Sequence, residues 1–170
     1  MSNSAISLLR TQYKEAAGWL EGTMAGVTSA VAQYAPGGHA TPIAGHIAHI
    51  LSGLDFFVVG QVAGKAPLIA STFAGKTGIS EPPPQGDSTE WMNTVKIDAE
   101  AIQAYSKAVF AAVDDYLSTL NDSDLAREIE LPFGKFSVGW VFNIMLMNTY
   151  CHTGEISTIK GLQGLKGYPM

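Results

Sequence analysis

Apolar side chains recur with helical period over four long stretches of this chain. From Ser4 to about Leu20, the residues Leu8, Leu9, Tyr13, Ala16, Ala17 and Leu20 form one face while Arg10, Lys14 and Glu15 supply the wet one, which predicts helix one. Helix two opens at Thr41 as N-cap with Pro42 at the first helical position, and runs to about Ala63. Helix three covers Trp91 to about Leu120 through Ile97, Ile102, Tyr105, Val109, Val113 and Tyr116, with room for a broken first turn. Helix four extends from its N-cap Ser137 to Gly164 and aligns Val141, Ile144, Met145, Asn148, His152, Ile156 and Ile159 on one face.

The connections between these stretches are uneven. Gly22 to His39 reads as a connector in which Val27, Ala30 and Val31 have room for one short helix before Pro36-Gly37-Gly38 stops it. Lys65 to Glu90 contains Gly75, Gly78, Pro82-Pro83-Pro84 and Gly86, so it is a long irregular loop after helix two. Ile129 to Phe136 suggests a small hairpin with its turn near Gly134. Gly45, Gly53 and Gly60, near whole turns apart on the His49 side of helix two, leave room for a close helix or for a ligand. Four amphipathic helices bury their stripes most simply against one another, so the expected fold is all-α, a four-helix bundle forming a single domain over residues 1–170.

Composition narrows the function classes. With 170 residues, 46% hydrophobic and 15% charged, the chain has enough apolar material for one core. Its formal charge of −5 and lack of a basic block disfavour nucleic-acid binding. The Met1-Ser2-Asn3-Ser4 start has no basic, apolar leader pattern, and the apolar tract Ile43–Ala63 is interrupted by His46, His49, Asp55 and Gln61. The expectation is therefore a cytoplasmic protein that does not enter a membrane. One cysteine, Cys151, leaves no disulfide framework and no cysteine-rich zinc site, so any metal must be held by His, Asn, Asp or Glu.

Those residues are few and they are patterned. Asn148 and His152 are four apart on helix four, and therefore lie one above the other on one face. His49 on helix two offers a partner across the bundle, and the three together would line a small polar pocket. His46, three residues before His49, is either able to replace a missing ligand or a supporting or surface group. Asn148 is either a core amide, a weak oxygen ligand, or a donor that orients a bound water or substrate. Glu155, one turn beyond His152, either fixes its tautomer or lies on a solvated face. Cys151 is expected as a small core residue, because adjacent helical positions point about 100° apart and make a Cys–His pair poor. Met145, Met147, Phe56, Phe57, Trp140 and Phe142 are expected in the core, and His39 in solvent.

The segments Gly45-His46-Ile47-Ala48-His49-Ile50 and His152-Thr153-Gly154-Glu155-Ile156 resemble the two signatures of the DinB-like superfamily, and the approach Pro36-Gly37-Gly38-His39-Ala40-Thr41-Pro42 is similar to it as well. The resemblance implies a four-helix bundle, often a homodimer, in which one histidine from helix two and an H-x-x-x-H pair from helix four bind a divalent metal such as nickel or zinc. Some members are transferases or isomerases that use a small thiol. Carried onto this chain, the ligands fall on His49, Asn148 and His152. Asn148 departs from the pattern, since its neutral carbonyl is a poorer donor than imidazole to zinc or nickel. Two functions follow: a metal-dependent thiol transferase or hydrolase-type enzyme, or a non-catalytic small-molecule binding or structural bundle that has lost its metal.

Overall fold

The computed structural model describes residues 4–170 and is mostly helical. Among the described residues there are six α-helices: α1 (Ser4–Met24), α2 (Ser29–Ala32), α3 (Ile43–Gly53), α4 (Thr89–Thr94), α5 (Ala99–Leu117) and α6 (Val138–Leu162). A π-helical segment, Leu54–Val62, continues α3, and short 3-10 turns occupy Leu68–Ala70 and Asp122–Ala126. An antiparallel hairpin, β1 (Glu128–Leu131) and β2 (Gly134–Ser137), precedes α6. α6 lies against both α1 and α3, while α5 packs on α1 and on the π segment. Leu20, Ile47, Leu51, Tyr105, Phe142 and Ile156 meet in the core between them.

The N-terminal helix runs one turn further than its apolar period suggests. Lys160 of α6 is buried, and its Nζ donates to the carbonyls of Thr23 at 2.6 Å and Ala25 at 2.8 Å, partnering carbonyls at the end of α1. Burial lowers the pKa of that amine. The long-range partner could not be inferred from the local period. The connector holds one helical turn, α2, capped by the Thr28 side chain, which accepts from the Val31 amide.

Helix two starts at Ile43, with Pro42 rather than Thr41 in the N-cap position. Pro42 is extended, its carbonyl accepts from the amides of Gly45 and His46, and it brings no side-chain cap. Gly45 answers the question of why that face is bare: a Cβ there would overlap the Met92 carbonyl of α4, so the glycine allows close backbone contact. Gly53 is different, with only Met145 Sδ at 3.7 Å from such a Cβ. By length and composition Ile43–Val62 would pass for a membrane span, yet most of it is buried against the other helices, as in a central core helix.

The long connection after this helix is anchored by Asp55. Its carboxylate is fully buried and accepts from the amides of Leu68 at 2.7 Å and Ile69 at 2.8 Å and from the Tyr105 hydroxyl at 2.8 Å. Helix three is two helices, because Val95 turns extended, Ile97 bridges to Ile79, and Asp98 caps α5 by accepting from Glu100 and Ala101. The hairpin turn is Pro132-Phe133, one residue before its expected centre.

Ser137 caps α6 through a bond from the Trp140 amide, as its position suggested. Several residues assigned to the core nevertheless lie at the surface: Phe56 is 42% exposed, Trp140 38%, Met147 51%, and Cys151 is exposed too. The reason is rotational. The buried stripe of α6 passes through Val138, Phe142, Thr149, Thr153, Ile156 and Lys160, which turns Trp140, Met147 and Cys151 outward. Phe142 is the only one of those aromatics that is fully buried; Phe57 and Met145 are half-buried.

Candidate metal centre

Two helices build the site, each contributing one turn. α3 carries His46 and His49 on the side that meets α6, with His46 5% exposed and His49 half-buried. α6 contributes Asn148, His152 and Glu155 from the shoulder of its buried stripe. That position is fixed by Thr149 and Thr153, which are buried beside them and return their hydroxyls to the carbonyls of Met145 and Thr149. Small hydroxylated residues at these core positions satisfy themselves within the helix and leave the imidazoles to face α3.

The three histidines converge. The rings of His46 and His152 are 5.1 Å apart between centroids, and those of His49 and His152 5.0 Å. His46 Nδ1 lies 3.1 Å from His152 Nδ1 and 3.2 Å from Glu155 Oε2, and the His152–Glu155 distance is 2.5 Å. A carboxylate only accepts, so hydrogen bonding from these rings requires a proton on an Nδ1. On the other side of His152, the Asn148 Nδ2 and His49 Nε2 are 3.3 Å apart, and the amide donates to an unprotonated ring nitrogen.

Burial disfavours the charged form of two of these imidazoles, His46 and His49. Burial depresses the pKa of His49 to about 4, and the neighbouring His152 and His46 add to the effect against the opposing pull of Glu155. Burial likewise lowers the pKa of His46, partly offset by the Glu155 charge and reinforced by His152. Neutral imidazoles carry the lone pairs that metal ligation requires.

The donor set fits a divalent ion. Two ligand atoms about 2.1 Å from one ion are about 3.0–3.4 Å apart for bond angles between octahedral and tetrahedral, and two of the three edges of the Nδ1, Nδ1, Oε2 triangle are of this size. The third edge is a short hydrogen bond that a small movement of the exposed Glu155 side chain would open. His46, His152 and Glu155 are the group among the described residues whose ligand atoms all lie within 4.8 Å of one another. Of the residues anticipated as ligands, His152 belongs to this triangle, while His49 and Asn148 form the pair beside it. The sequence leaves His46 between a replacement ligand and a supporting or surface group, and Glu155 between a group that fixes the His152 tautomer and one on a solvated face. A sequence signal for them existed: His46 and His49 share one helical face, and so do His152 and Glu155.

A groove of about 630 Å³ lies elsewhere, between α1 and α5, lined by Ser7, Arg10, Lys14 and Asp114 among others. Arg10 is paired there with Asp114 through two bonds of 2.7 and 2.9 Å, so its best donors are already used. The histidine cluster, not this groove, holds the convergent chemistry. No curated protein matches the chain. A crystal structure of a conserved protein from Enterococcus faecalis superposes with a TM-score of 0.78 at 18% identity, covering 92% of this chain and 95% of that one, a likeness of fold. The family profile described as DinB superfamily matches residues 12–156, which include both histidine segments and Glu155, and the chain therefore belongs to the DinB superfamily.

Proposed function

We propose that this chain binds a divalent metal ion, nickel or zinc, between α3 and α6, and uses it on a small-molecule substrate such as a thiol. The carrying observation is the triangle of His46 Nδ1, His152 Nδ1 and Glu155 Oε2. His49 and Asn148 complete the polar wall, and a turn of the Asn148 amide would aim its carbonyl oxygen inward as a further weak ligand. The four long helical segments are read as a four-helix bundle, and the protein as a cytoplasmic homodimer.

A bound ion would supply Lewis acidity, lowering the pKa of a thiol or water in an open coordination position. The chain's own groups do the rest. Glu155 is half-exposed at the mouth, where its carboxylate can take up a released proton. His49 stays neutral and orients Asn148, whose amide can in turn hold a polar substrate group. Metal-dependent thiol transfer or hydrolysis is the reaction class that this set supports.

One observation favours a second reading, a bundle that has lost its metal and kept the scaffold. Asn148 engages the His49 lone pair, and Glu155 closes on His152, so the polar groups satisfy one another. Elemental analysis of protein purified without a chelating tag separates the two. The first reading expects close to one equivalent of transition metal; metal-free protein whose melting temperature ignores added nickel and zinc overturns it in favour of the second. Under the second reading, Asn148→His should restore binding.

A further inference from the structure

Packing explains the glycines of helix two at Gly45 and Gly60 but not at Gly53. A Cβ at Gly45 would overlap the Met92 carbonyl, and one at Gly60 would press on Pro67 Cγ at 3.3 Å. At Gly53 it would meet only Met145 Sδ at 3.7 Å, an ordinary contact. Glycine within a helix is an unfavourable choice unless room is needed beside the backbone. Here the room opens outward. Between His46 and Gly60 this helix is buried except at His49, Gly53, Phe56, Phe57 and Gly60, which recur at helical spacing and form one stripe.

α6 runs the other way along that stripe, and facing residues fall into layers. His46 meets His152 in the first, His49 meets Asn148 in the second, and Gly53 meets Met145 in the third. On both helices the first and third layers are seven residues apart, about 10.5 Å along the axis. The second layer is polar and internally bonded, Asn148 Nδ2 lying 3.3 Å from His49 Nε2. The third is a notch between bare backbone and a flexible thioether, half-buried on both sides. One turn further along the stripe stands Phe57, with the exposed rings of Phe56 and Phe133 edge-on to it at 5.1 and 5.8 Å.

We propose that this trough receives the aryl end of the substrate: a thiol whose sulfur reaches the ion in the first layer, whose uncharged chain crosses the second, and whose ring enters the notch between Gly53 and Met145. Neither the second layer nor the third holds a carboxylate, lysine or arginine, and burial keeps His49 neutral, so a charged arm finds no partner there. A ring does find partners, in the Met145 sulfur and in the edges of the phenylalanines beyond. Gly53 and Met145 therefore set specificity, while the position of the sulfur rests on the metal reading above.

Phenylbutanethiol puts four carbons between sulfur and ring and, when extended, spans about 10 Å from ion to ring centre. Cobalt-loaded protein, followed by its sulfur-to-metal absorption, should bind this thiol about tenfold more tightly than mercaptoethanol. Gly53→Leu fills the notch and should bring the two affinities together. A second measurement needs neither a variant that folds nor a metal. In chelator-treated wild-type protein carrying methyl-labelled methionine, benzyl alcohol should shift the Met145 methyl resonance by ring current and leave that of the buried Met24 in place. Equal affinities in the parent, an advantage that survives in Gly53→Leu, or an unmoved Met145 methyl each overturns the proposal. A Met145 shift in protein that takes up no cobalt upholds the notch and sinks the metal; cobalt uptake with equal affinities does the reverse.

Discussion

Replacing Asp55 tests how the long loop is held. The carboxylate is wholly buried and takes three donors: Leu68 N–H on Oδ1, and Ile69 N–H and the Tyr105 hydroxyl on Oδ2. Hydrogen bonds to a charged group contribute about 1.5–3 kcal/mol each, and removing one partner of a buried network leaves the others desolvated and unpaired. Asp55→Ala loses all three bonds and regains part of the cost of burying a charge, for a net loss of about 3–5 kcal/mol. Asp55→Asn can keep its carbonyl at the Oδ2 position but sets its amide N–H against the Leu68 N–H, donor facing donor, a loss of about 2–3 kcal/mol. For a domain of this size the alanine variant should melt about 10 °C lower, with the asparagine variant between it and the parent. Urea unfolding followed by circular dichroism gives the energies, and limited proteolysis between Lys65 and Ser88 shows whether the loop has come loose. An alanine variant within about 1 kcal/mol of the parent, with its loop still resistant, would refute the anchoring role.

Two further tests concern the walls of the site. Gly45→Ala should lose about 3 kcal/mol or more, because the new Cβ would sit 2.7 Å from both Met92 C and Thr41 Cγ2, and backbone cannot swing aside as a side chain can; Gly53→Ala, with 3.7 Å to Met145 Sδ, serves as the tolerated control in the same melting assay. In chelator-treated protein, stability should fall as pH drops from about 6.5 to about 4. His49 titrates near 4 when folded and near its ordinary 6.5 when unfolded, so in that window the unfolded chain binds the extra proton; the sign is a loss on acidification, of up to about 3 kcal/mol, flat above pH 7. His46, shifted the same way, adds to it. His49→Gln should flatten part of this slope in urea titrations at successive pH values.

Much of this architecture was legible because helical period and capping chemistry are local. Ser137 marked the start of α6 and the Ile129 to Phe136 segment the hairpin, though with its turn expected at Gly134, and the two histidine segments identified the helices that meet. What was not legible depends on distant partners. The last turn of α1 is held by Lys160, the loop by Asp55 and Tyr105, and the break before α5 by the Ile79–Ile97 bridge. At the site the sequence shows which residues share a face but not how far the helix is rotated. A small rotation of α3 decides whether His46 or His49 presents its free nitrogen to His152, and in this fold His46 is the deeper and nearer one. The same rotation explains why Cys151, Met147 and Trp140 face outward instead of packing inside.

X-ray absorption at the zinc edge reads the ligand set without reference to any substrate. The zinc-loaded protein should show two imidazole nitrogens at about 2.0–2.1 Å with oxygen completing the shell. His46→Ala should reduce the imidazole count to one, Glu155→Gln should weaken zinc affinity about tenfold or more, and His49→Ala should leave both imidazoles in place. An unchanged spectrum in His46→Ala together with a lost imidazole in His49→Ala would move the ion to the Asn148 side and contradict the convergence of His46, His152 and Glu155.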